Sequence, residues 1–382
     1  MLLDEDTRMI AEAARRIAAE HIAPNAAALD RHAPGARETF LANLKRLAEN
    51  GFMAVNVPSA YGGTEAGATA FALTVEAVGA ACASTGVTVS VTNMVGEVIA
   101  SVGSEAQKET YLPRLADGTY PAGAFCLTES GAGSDPAAMV TLARMDGNEW
   151  VLNGAKLYIT SAAYAGLFVV WAVTDPEAPK GRGISAFLVE KGTPGLVIGR
   201  EEEKLGQRGS ATNEVLFEDC RLPADALLGP LNGGFRIAAG ELAGGRIGIA
   251  ALSLGIARAA ADAAIAFVKE RRQFGQPIAA MQGPQWMIAD METELEAARL
   301  LILQAAALKD AGEPFGKAAS MAKLYASEAA QRATYTALQL HGGAGYIADH
   351  PVERYARDAR ITTIYEGTSE IQRLIIARAT LA

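Results

Sequence analysis

The chain has 382 residues, half of them hydrophobic and a fifth charged, with 34 Lys and Arg against 43 Asp and Glu for a net charge of −9. That length exceeds what one compact core usually organises, so two or three packed domains are expected, and the acidic balance argues against a nucleic-acid-binding surface. Cys82, Cys126 and Cys220 lie far apart without metal-ligand spacing, and the four histidines suggest no metal site either. Buried free thiols in a reducing compartment are expected.

The segment Met1–Arg8 leads straight into an amphipathic pattern and carries neither a secretory apolar core nor an Arg-rich transit sequence, which gives a cytoplasmic location as the expectation. To about residue 120 the periodicity is helical, with Ile10, Ala14, Ile17 and Ala18 on one face and Phe40, Leu44 and Leu47 on another. Gly51 closes a helix, Tyr61-Gly62-Gly63 marks a loop, an apolar helix runs from Phe71 to Cys82, and Gly103-Ser104 opens a turn before Tyr111-Leu112-Pro113. The pattern changes near Pro121. Short runs rich in Val, Ile, Thr and Phe follow, at 150–154, 167–173, 184–189, 196–198 and 214–217, and they predict a β domain.

Beyond Gly234 the helical period returns in long Ala-rich segments, about 236–272, 281–311, 315–341 and 369–380, joined by Gly/Pro turns. Four helices of this length imply an antiparallel bundle. No uninterrupted apolar run reaches membrane-spanning length, because the stretch after Ile247 is broken by Gly255, Arg258 and Asp262. The expected fold class is therefore α+β: an N-terminal helical domain over 1–120, a middle β-barrel or sandwich domain over 121–232, and a C-terminal four-helix bundle over 233–382.

One carboxylate stands out. Glu366 lies between an aromatic residue and a glycine in Ile364-Tyr365-Glu366-Gly367-Thr368-Ser369-Glu370-Ile371-Gln372-Arg373. A carboxylate shielded by an aromatic has its pKa raised, and the glycine lets a substrate approach the backbone, which suits proton abstraction beside a carbonyl. A solvated turn or a helix cap is the plain alternative. After it, Thr368, Ser369 and Glu370 open a helix whose free amides and hydroxyls suit an anionic group, or simply form a capping box. Further back, Cys126-Leu127-Thr128-Glu129-Ser130-Gly131-Ala132-Gly133-Ser134-Asp135 is a glycine-containing turn able to present amides and a hydroxyl to a flat polar ring edge, or else an ordinary hairpin loop. No strand-Gly-x-Gly-x-x-Gly-helix pattern occurs, so a dinucleotide site of the Rossmann type is not supported. His341, beside Gly342 and Gly343, reads as a packing residue, and Trp286 with Met287, Met291 and Leu295 reads as a core stripe.

Taken in order, the 126–135 turn, Lys156-Leu157-Tyr158-Ile159-Thr160, Gln339-Leu340-His341-Gly342-Gly343-Ala344-Gly345-Tyr346 with the following Pro351–Arg360, and the decapeptide around Glu366 resemble the acyl-CoA dehydrogenases, and the resemblance runs from about Leu3 to Arg378. It implies an FAD cofactor, an acyl-CoA substrate, a homotetramer and an electron-transferring flavoprotein as electron acceptor. It places Phe125, Leu127, Thr128, Gly133 and Ser134 along the flavin, with Ser134 also near the pantetheine arm, and Tyr158, Ile159 and Thr160 against the ring. Arg271, Phe274, Gln282, Gln339, Gly342 and Gly343 would reach FAD of a neighbouring subunit, and Thr368, Ser369 and Glu370 would also contact FAD. Glu366 would be the α-proton base, with the thioester carbonyl held by its own amide and a ribityl hydroxyl. Ala243, Arg246, Tyr365 and Gly367 would line the substrate.

The sequence departs from the family pattern in places. The family often has Trp at position 158 and Pro at 130, and commonly a polar residue at 243, where Ala243 removes a hydrogen bond to the CoA arm worth roughly 1 kcal/mol unless Glu241 reaches the same space. Gly245 removes the alternative base position used by isovaleryl-type members. The best overall likeness is to short-chain or short branched-chain members. Two further readings stay open: a flavin oxidase or desaturase on the same scaffold, acting on an unusual CoA ester, and a flavin-binding protein that has lost turnover.

Overall fold

The computed structural model describes residues 3–382; Met1 and Leu2 of the expected amino-terminal segment lie outside the described residues. Six helices come first: α1 (Glu5–Ile17), α2 (Ala26–Asp30), α3 (Ala36–Glu49), α4 (Gly67–Ala81), α5 (Ala83–Val102) and α6 (Glu105–Ala116). Asp4 caps α1 by accepting from the Thr7 amide at 2.7 Å, and Ala11, Ala14 and Ile17 form its buried stripe. Ser104 and Gln107 form a reciprocal capping box that starts α6. Tyr111-Leu112-Pro113 falls inside this helix, where Pro113 in the last turn removes only one backbone bond.

The middle of the chain forms β1 (Gly123–Cys126), β2 (Leu142–Asp146), β3 (Glu149–Thr160), β4 (Leu167–Val173), β5 (Ile184–Glu190), β6 (Leu196–Glu201), β7 (Thr212–Pro223) and β8 (Leu227–Leu228). They make one eight-stranded sheet in the order β6-β7-β3-β2-β4-β5-β8, with β1 added parallel to β4. β3 and β7 pair antiparallel over most of their length, and the register slips between Lys156 and Ile159. At that irregularity Tyr158 takes a positive φ of 58° and turns outward, 64% exposed. Trp150, Phe168, Phe187 and Phe217 fill the core on one side of the sheet. On the other, Leu167, Val169 and Trp171 pack with Val95, Val98 and Ile99 of α5 and Leu112 and Leu115 of α6.

The carboxy-terminal part contains α7 (Gly234–Glu270), a small hairpin of β9 (Arg272–Gln273) and β10 (Gln276–Pro277), then α8 (Gln282–Asp310), α9 (Gly316–His341), α10 (Val352–Arg360) and α11 (Ser369–Leu381). α10 had no legible apolar period, since Val352-Glu353-Arg354-Tyr355-Ala356-Arg357-Asp358-Ala359-Arg360 is mostly charged. Ion pairs hold it instead: Arg357 grips both Asp30, at 2.7 Å, and Glu353, at 2.7 Å. The expected stripe on α8 is confirmed for Met291 and Leu295, each 3% exposed, but Trp286 lies 64% exposed. Its position is one residue off the 287/291/295 row, which rotates it out of the core.

One hydrophobic core joins the first helices to the bundle, with Phe71, Val75 and Val78 of α4 against Ile247, Leu254 and Ala261 of α7 and Ala322, Ala326 and Ala330 of α9. Alanine and glycine permit this closeness: a Cβ on Gly255 would stand 2.3 Å from the Glu76 carbonyl oxygen, and one on Gly79 would stand 2.6 Å from Leu252. Contrary to the sequence expectation, α5 and α7 are both long and apolar enough to cross a membrane, but 78% and 61% of their most apolar windows are buried inside the protein. Their hydrophobicity serves the core. Gly255→Ala must push α7 off the α4 backbone, and we expect a loss of about 1–3 kcal/mol, read as a lowered denaturation midpoint with unchanged slope.

Candidate active site

Glu366 sits on the short connection between α10 and α11, and the chain there is bent into an unusual form. Glu366 has φ of 54° and Gly367 has φ of 90°. Two successive left-handed residues cost about 1–2 kcal/mol at the non-glycine position. A side chain at 367 would add a clash, since its Cβ would lie 2.7 Å from Gln372 Nε2. The turn is held from behind: Gln372 donates to the carbonyls of Glu366 (3.1 Å) and Gly367 (2.9 Å), and Lys323 of α9 donates to Gly367 at 2.8 Å. Tyr365, on the preceding residue, is tied to Gln207 by a 3.0 Å bond between its hydroxyl and the glutamine amide.

This turn aims the Glu366 carboxylate at α7 and α5. A Cβ on Gly245 would lie 3.0 Å from Glu366 Oε2 and 2.7 Å from the sulfur and methyl of Met94. Glu366 Oε2 is buried with no hydrogen-bond partner, as is Nε of the neighbouring Arg246, itself 8% exposed. Burial pushes the Glu366 carboxyl up to about 7, against the opposing pull of Arg246 and Lys323. An unsatisfied carboxylate with a pKa near neutrality, in reach of no structural partner, suits a proton-transfer base.

A cavity of about 390 Å³ lies beside this turn, lined by Val87, Tyr158, Thr160, Gln207, Ser210 and Tyr365 among others. It thus joins the end of β3 to the residue next to Glu366. Thr368 caps α11 by accepting from the Ile371 amide at 3.3 Å; Ser369 is buried with its Oγ unpartnered, and Glu370 is exposed. In the 127–134 turn, Thr128 is half-buried and accepts from the Leu157 amide at 2.9 Å, while Gly133 and Ser134 are exposed. Where Cβ atoms would stand on Gly131 and Gly133 the space is open. An aromatic-walled cavity, an orphaned hydroxyl at a helix start and a glycine turn with a free face fit a planar, polar-edged cofactor.

Family models for the N-terminal, middle and C-terminal domains of acyl-CoA dehydrogenase match residues 4–119, 124–220 and 232–381. The chain belongs to the acyl-CoA dehydrogenase family. It is 46% identical to the acryloyl-CoA reductase (NADH) of Anaerotignum propionicum, over 98% of this chain and 94% of that one. It is also 46% identical to the mitochondrial short-chain specific acyl-CoA dehydrogenase of Homo sapiens, over 98% and 90%. Among solved structures, butyryl-CoA dehydrogenase from Megasphaera elsdenii superposes with a TM-score of 0.95 at 37% identity, covering both chains fully. A chain in a structure described as the electron transferring flavoprotein of Acidaminococcus fermentans gives 0.96 at 42% identity, covering 100% and 99%. An acyl-CoA dehydrogenase complexed with FAD from Bacillus anthracis gives 0.92 at 31% identity, covering 99% of this chain and 67% of that one. This chain is accordingly an FAD-dependent oxidoreductase acting on acyl-CoA thioesters.

Other acyl-CoA dehydrogenase positions fall into three groups. Phe125 is half-buried against Trp171, with ring centroids 4.2 Å apart, whereas Leu127 and Ile159 point into the two cores of the β domain, which leaves their backbones as the parts available to a ligand. Arg271, Phe274, Gln282, Gln339, Gly342 and Gly343 are exposed and line neither cavity described here; Phe267 stacks on His341 at 4.2 Å and so brings the β9–β10 hairpin beside the end of α9. His341 is otherwise bonded to the Ala337 carbonyl through Nδ1, a packing role. Ala243 is half-buried. Glu241 joins Asn56, Glu97 and Lys309 around a second cavity of about 760 Å³, where burial and Glu97 push its carboxyl well up against the pull of Lys309, and its Oε1 has no partner.

Sequence reasoning overlooked the support beneath the 127–134 turn. Lys156 and Glu129 form an ion pair of 2.7 Å at 0% and 4% side-chain exposure. Lys156 also donates to the Leu127 carbonyl at 3.2 Å, and Glu129 accepts from the Val140 and Thr141 amides at 2.6 and 3.0 Å. Burial works to raise the Glu129 carboxyl, but Lys156 and these donors hold it below the usual carboxylate range. A polar pair inside a strand-turn segment carries no periodic signal, although a Lys and a Glu in the two segments resembling one site were a usable hint. Lys156→Met leaves Glu129 buried with its amides but without its cation. We expect a loss of about 3 kcal/mol together with reduced FAD retention, measured by thermal denaturation and by the flavin absorbance of the purified protein.

Proposed function

We propose that Glu366 removes the α-proton of a short-chain or short branched-chain acyl-CoA. The observation that carries the reading is the unpartnered Glu366 Oε2, buried between Gly245, Met94 and Arg246 with its pKa raised to about 7. Bound FAD supplies the acceptor for the β-hydrogen, which leaves as hydride. The protein's own contribution is positional: the left-handed turn fixes the carboxylate, and the Glu366 amide donates to the thioester carbonyl, stabilising the charge that develops there as the proton leaves. Gly245 leaves room for the acyl group where any side chain would press on the base. Arg246, Tyr365 and Gly367 line the same region, and Ala243 leaves a CoA-arm contact unmade unless Glu241 supplies it.

Tyr158 and Thr160, with the backbone at Ile159, bound the cavity that suits the isoalloxazine ring. Thr128, Gly133 and Ser134, with Phe125 and Leu127 behind them, suit its polar edge, and Ser134 also suits the pantetheine arm. Thr368, Ser369 and Glu370 suit the remaining polar groups of FAD. Arg271, Phe274, Gln282, Gln339, Gly342 and Gly343, gathered on an exposed end of the bundle, suit a neighbouring subunit's cofactor, which favours a homotetramer. An electron-transferring flavoprotein as acceptor is supported by the Acidaminococcus structure, and a cytoplasmic location by bacterial relatives such as those of Bacillus subtilis and Clostridium acetobutylicum. The acryloyl-CoA reductase relative favours a second direction of use. With a pKa near 7, the same Glu366 can hold a proton and return it to the α-carbon of an enoyl-CoA.

The base works only when ionised. Because its folded pKa is raised, the bleaching rate with acyl-CoA should climb with pH through about 7 and level off above it. Glu366→Gln should lose roughly 10²–10⁴-fold and with it the acidic limb, measured as anaerobic flavin bleaching across a panel of acyl-CoA thioesters. A Gln variant that bleaches at the wild-type rate would remove the assignment.

A further inference from the structure

We propose that Lys323 is a positioning residue for the base: from the middle of α9 it clamps the left-handed turn at Glu366 and Gly367 and stands a buried positive charge behind the carboxylate. This rests on the assignment of Glu366 as base.

Lys323 is fully buried and among the largest side chains so buried in the protein. An ammonium in a helix core is costly, and elsewhere in this chain the fully buried lysine is matched by a carboxylate, as Lys156 is by Glu129. Lys323 is not. Among the described residues no carboxylate lies within ion-pair reach of it, and its hydrogen bond goes to a neutral group, the Gly367 carbonyl at 2.8 Å. A residue needed only to fill space between α9 and α11 would be Met or Leu. What the ammonium gains here is a grip on the one dipeptide whose strained backbone orients the base, a grip it shares with Gln372, also fully buried.

The hydrogen bond and the charge have separable effects. The bond fixes the turn, so losing it lets the carboxylate wander from its place opposite Gly245. The charge acts at longer range. Lys323 is faced by Glu366, by Arg246 from α7, by Glu328 from its own helix and by Glu370 from α11; burial, helped by Arg246 and opposed by the three glutamates, brings its own pKa down to about 8. The Glu366 carboxylate is faced by two cations, Arg246 and Lys323, and shares its field with Glu241. Without Lys323, Arg246 alone opposes burial, and the base titrates at higher pH.

The test uses the FAD-loaded protein as wild type, Lys323→Met, Lys323→Gln and Glu366→Gln, with anaerobic bleaching by butyryl-CoA followed across the neutral pH range. Lys323→Met keeps the volume and loses both bond and charge; we expect the acidic limb to move up by about one pH unit and the plateau rate to fall by roughly 10–100-fold. Lys323→Gln keeps a donor for the Gly367 carbonyl; the limb should be displaced as in the Met variant, with the plateau largely restored. If the Glu366→Gln protein is inactive while both Lys323 variants keep the wild-type limb, the proposal fails alone, whatever their plateau rates, because a merely structural lysine would lower rate or stability without moving the limb. If Lys323→Met does not retain flavin, the limb of Lys323→Gln decides by the same criterion. Normal bleaching by Glu366→Gln overturns the base assignment and this proposal together.

Discussion

A carboxylate oxygen buried without a partner is costly unless the surrounding structure is rigid enough to hold it there, and that requirement organises this fold. Glu366 Oε2 is enclosed at α7, opposite Gly245, with α9 and α11 holding its turn from behind, and each of those helices is fixed in turn by close packing with others. The closeness depends on small residues. Gly79, Gly248 and Gly255 allow α4, α5 and α7 to approach until a single methyl would strike Leu252, Phe71 or the backbone at Glu76. Leucine in their place would thicken the interface and open the space around Glu366.

The β domain meets a different requirement. It has to present one glycine turn and one strand end toward the helices, and the sheet does so with a local irregularity. The slip between β3 and β7 after Lys156 reverses the direction of Tyr158 and leaves its ring exposed, while Ile159 returns to the core. Lys156, immediately before the slip, reaches back to Leu127 and Glu129, so that the two segments of the proposed cofactor site are tied together by one buried cation.

Much of this was legible in the sequence because it is periodic or locally special. The strand at 167–173 and the helices α7, α8, α9 and α11 were placed to within about two residues because Val/Ile runs and Ala-rich helical patterns persist over their length. Glu366 was legible because Tyr, Glu and Gly in succession are odd for a surface turn. β1 and β2 were not, being short, with β2 mostly exposed; nor was α10, which ion pairs hold in place of an apolar stripe. Buried polar residues escaped for a deeper reason. Lys156, Lys323 and Gln372 acquire meaning only from partners 27, 44 and 6 residues distant, respectively, and nothing in their own neighbourhoods distinguishes them from solvated residues.

Two glutamates show how environment rather than residue type assigns a role. Glu129 is buried and Glu366 is half-buried with its Oε2 enclosed, and in both burial is the largest influence on the carboxyl. Glu129 has an ammonium at 2.7 Å and two amide donors, so its charge is satisfied and its proton affinity falls below the ordinary carboxylate range. Glu366 feels its cations only across a gap and takes no hydrogen bond on Oε2, so burial wins and the carboxyl rises to about 7. A base placed as Glu129 is would be too weak to take a proton from carbon. A structural anchor placed as Glu366 is would be half-neutral at physiological pH and would hold nothing. The strained and clamped backbone at Glu366 sets the second carboxylate opposite Gly245, where its Oε2 and the Nε of Arg246 both stay unpartnered and its basicity is not spent in an ion pair.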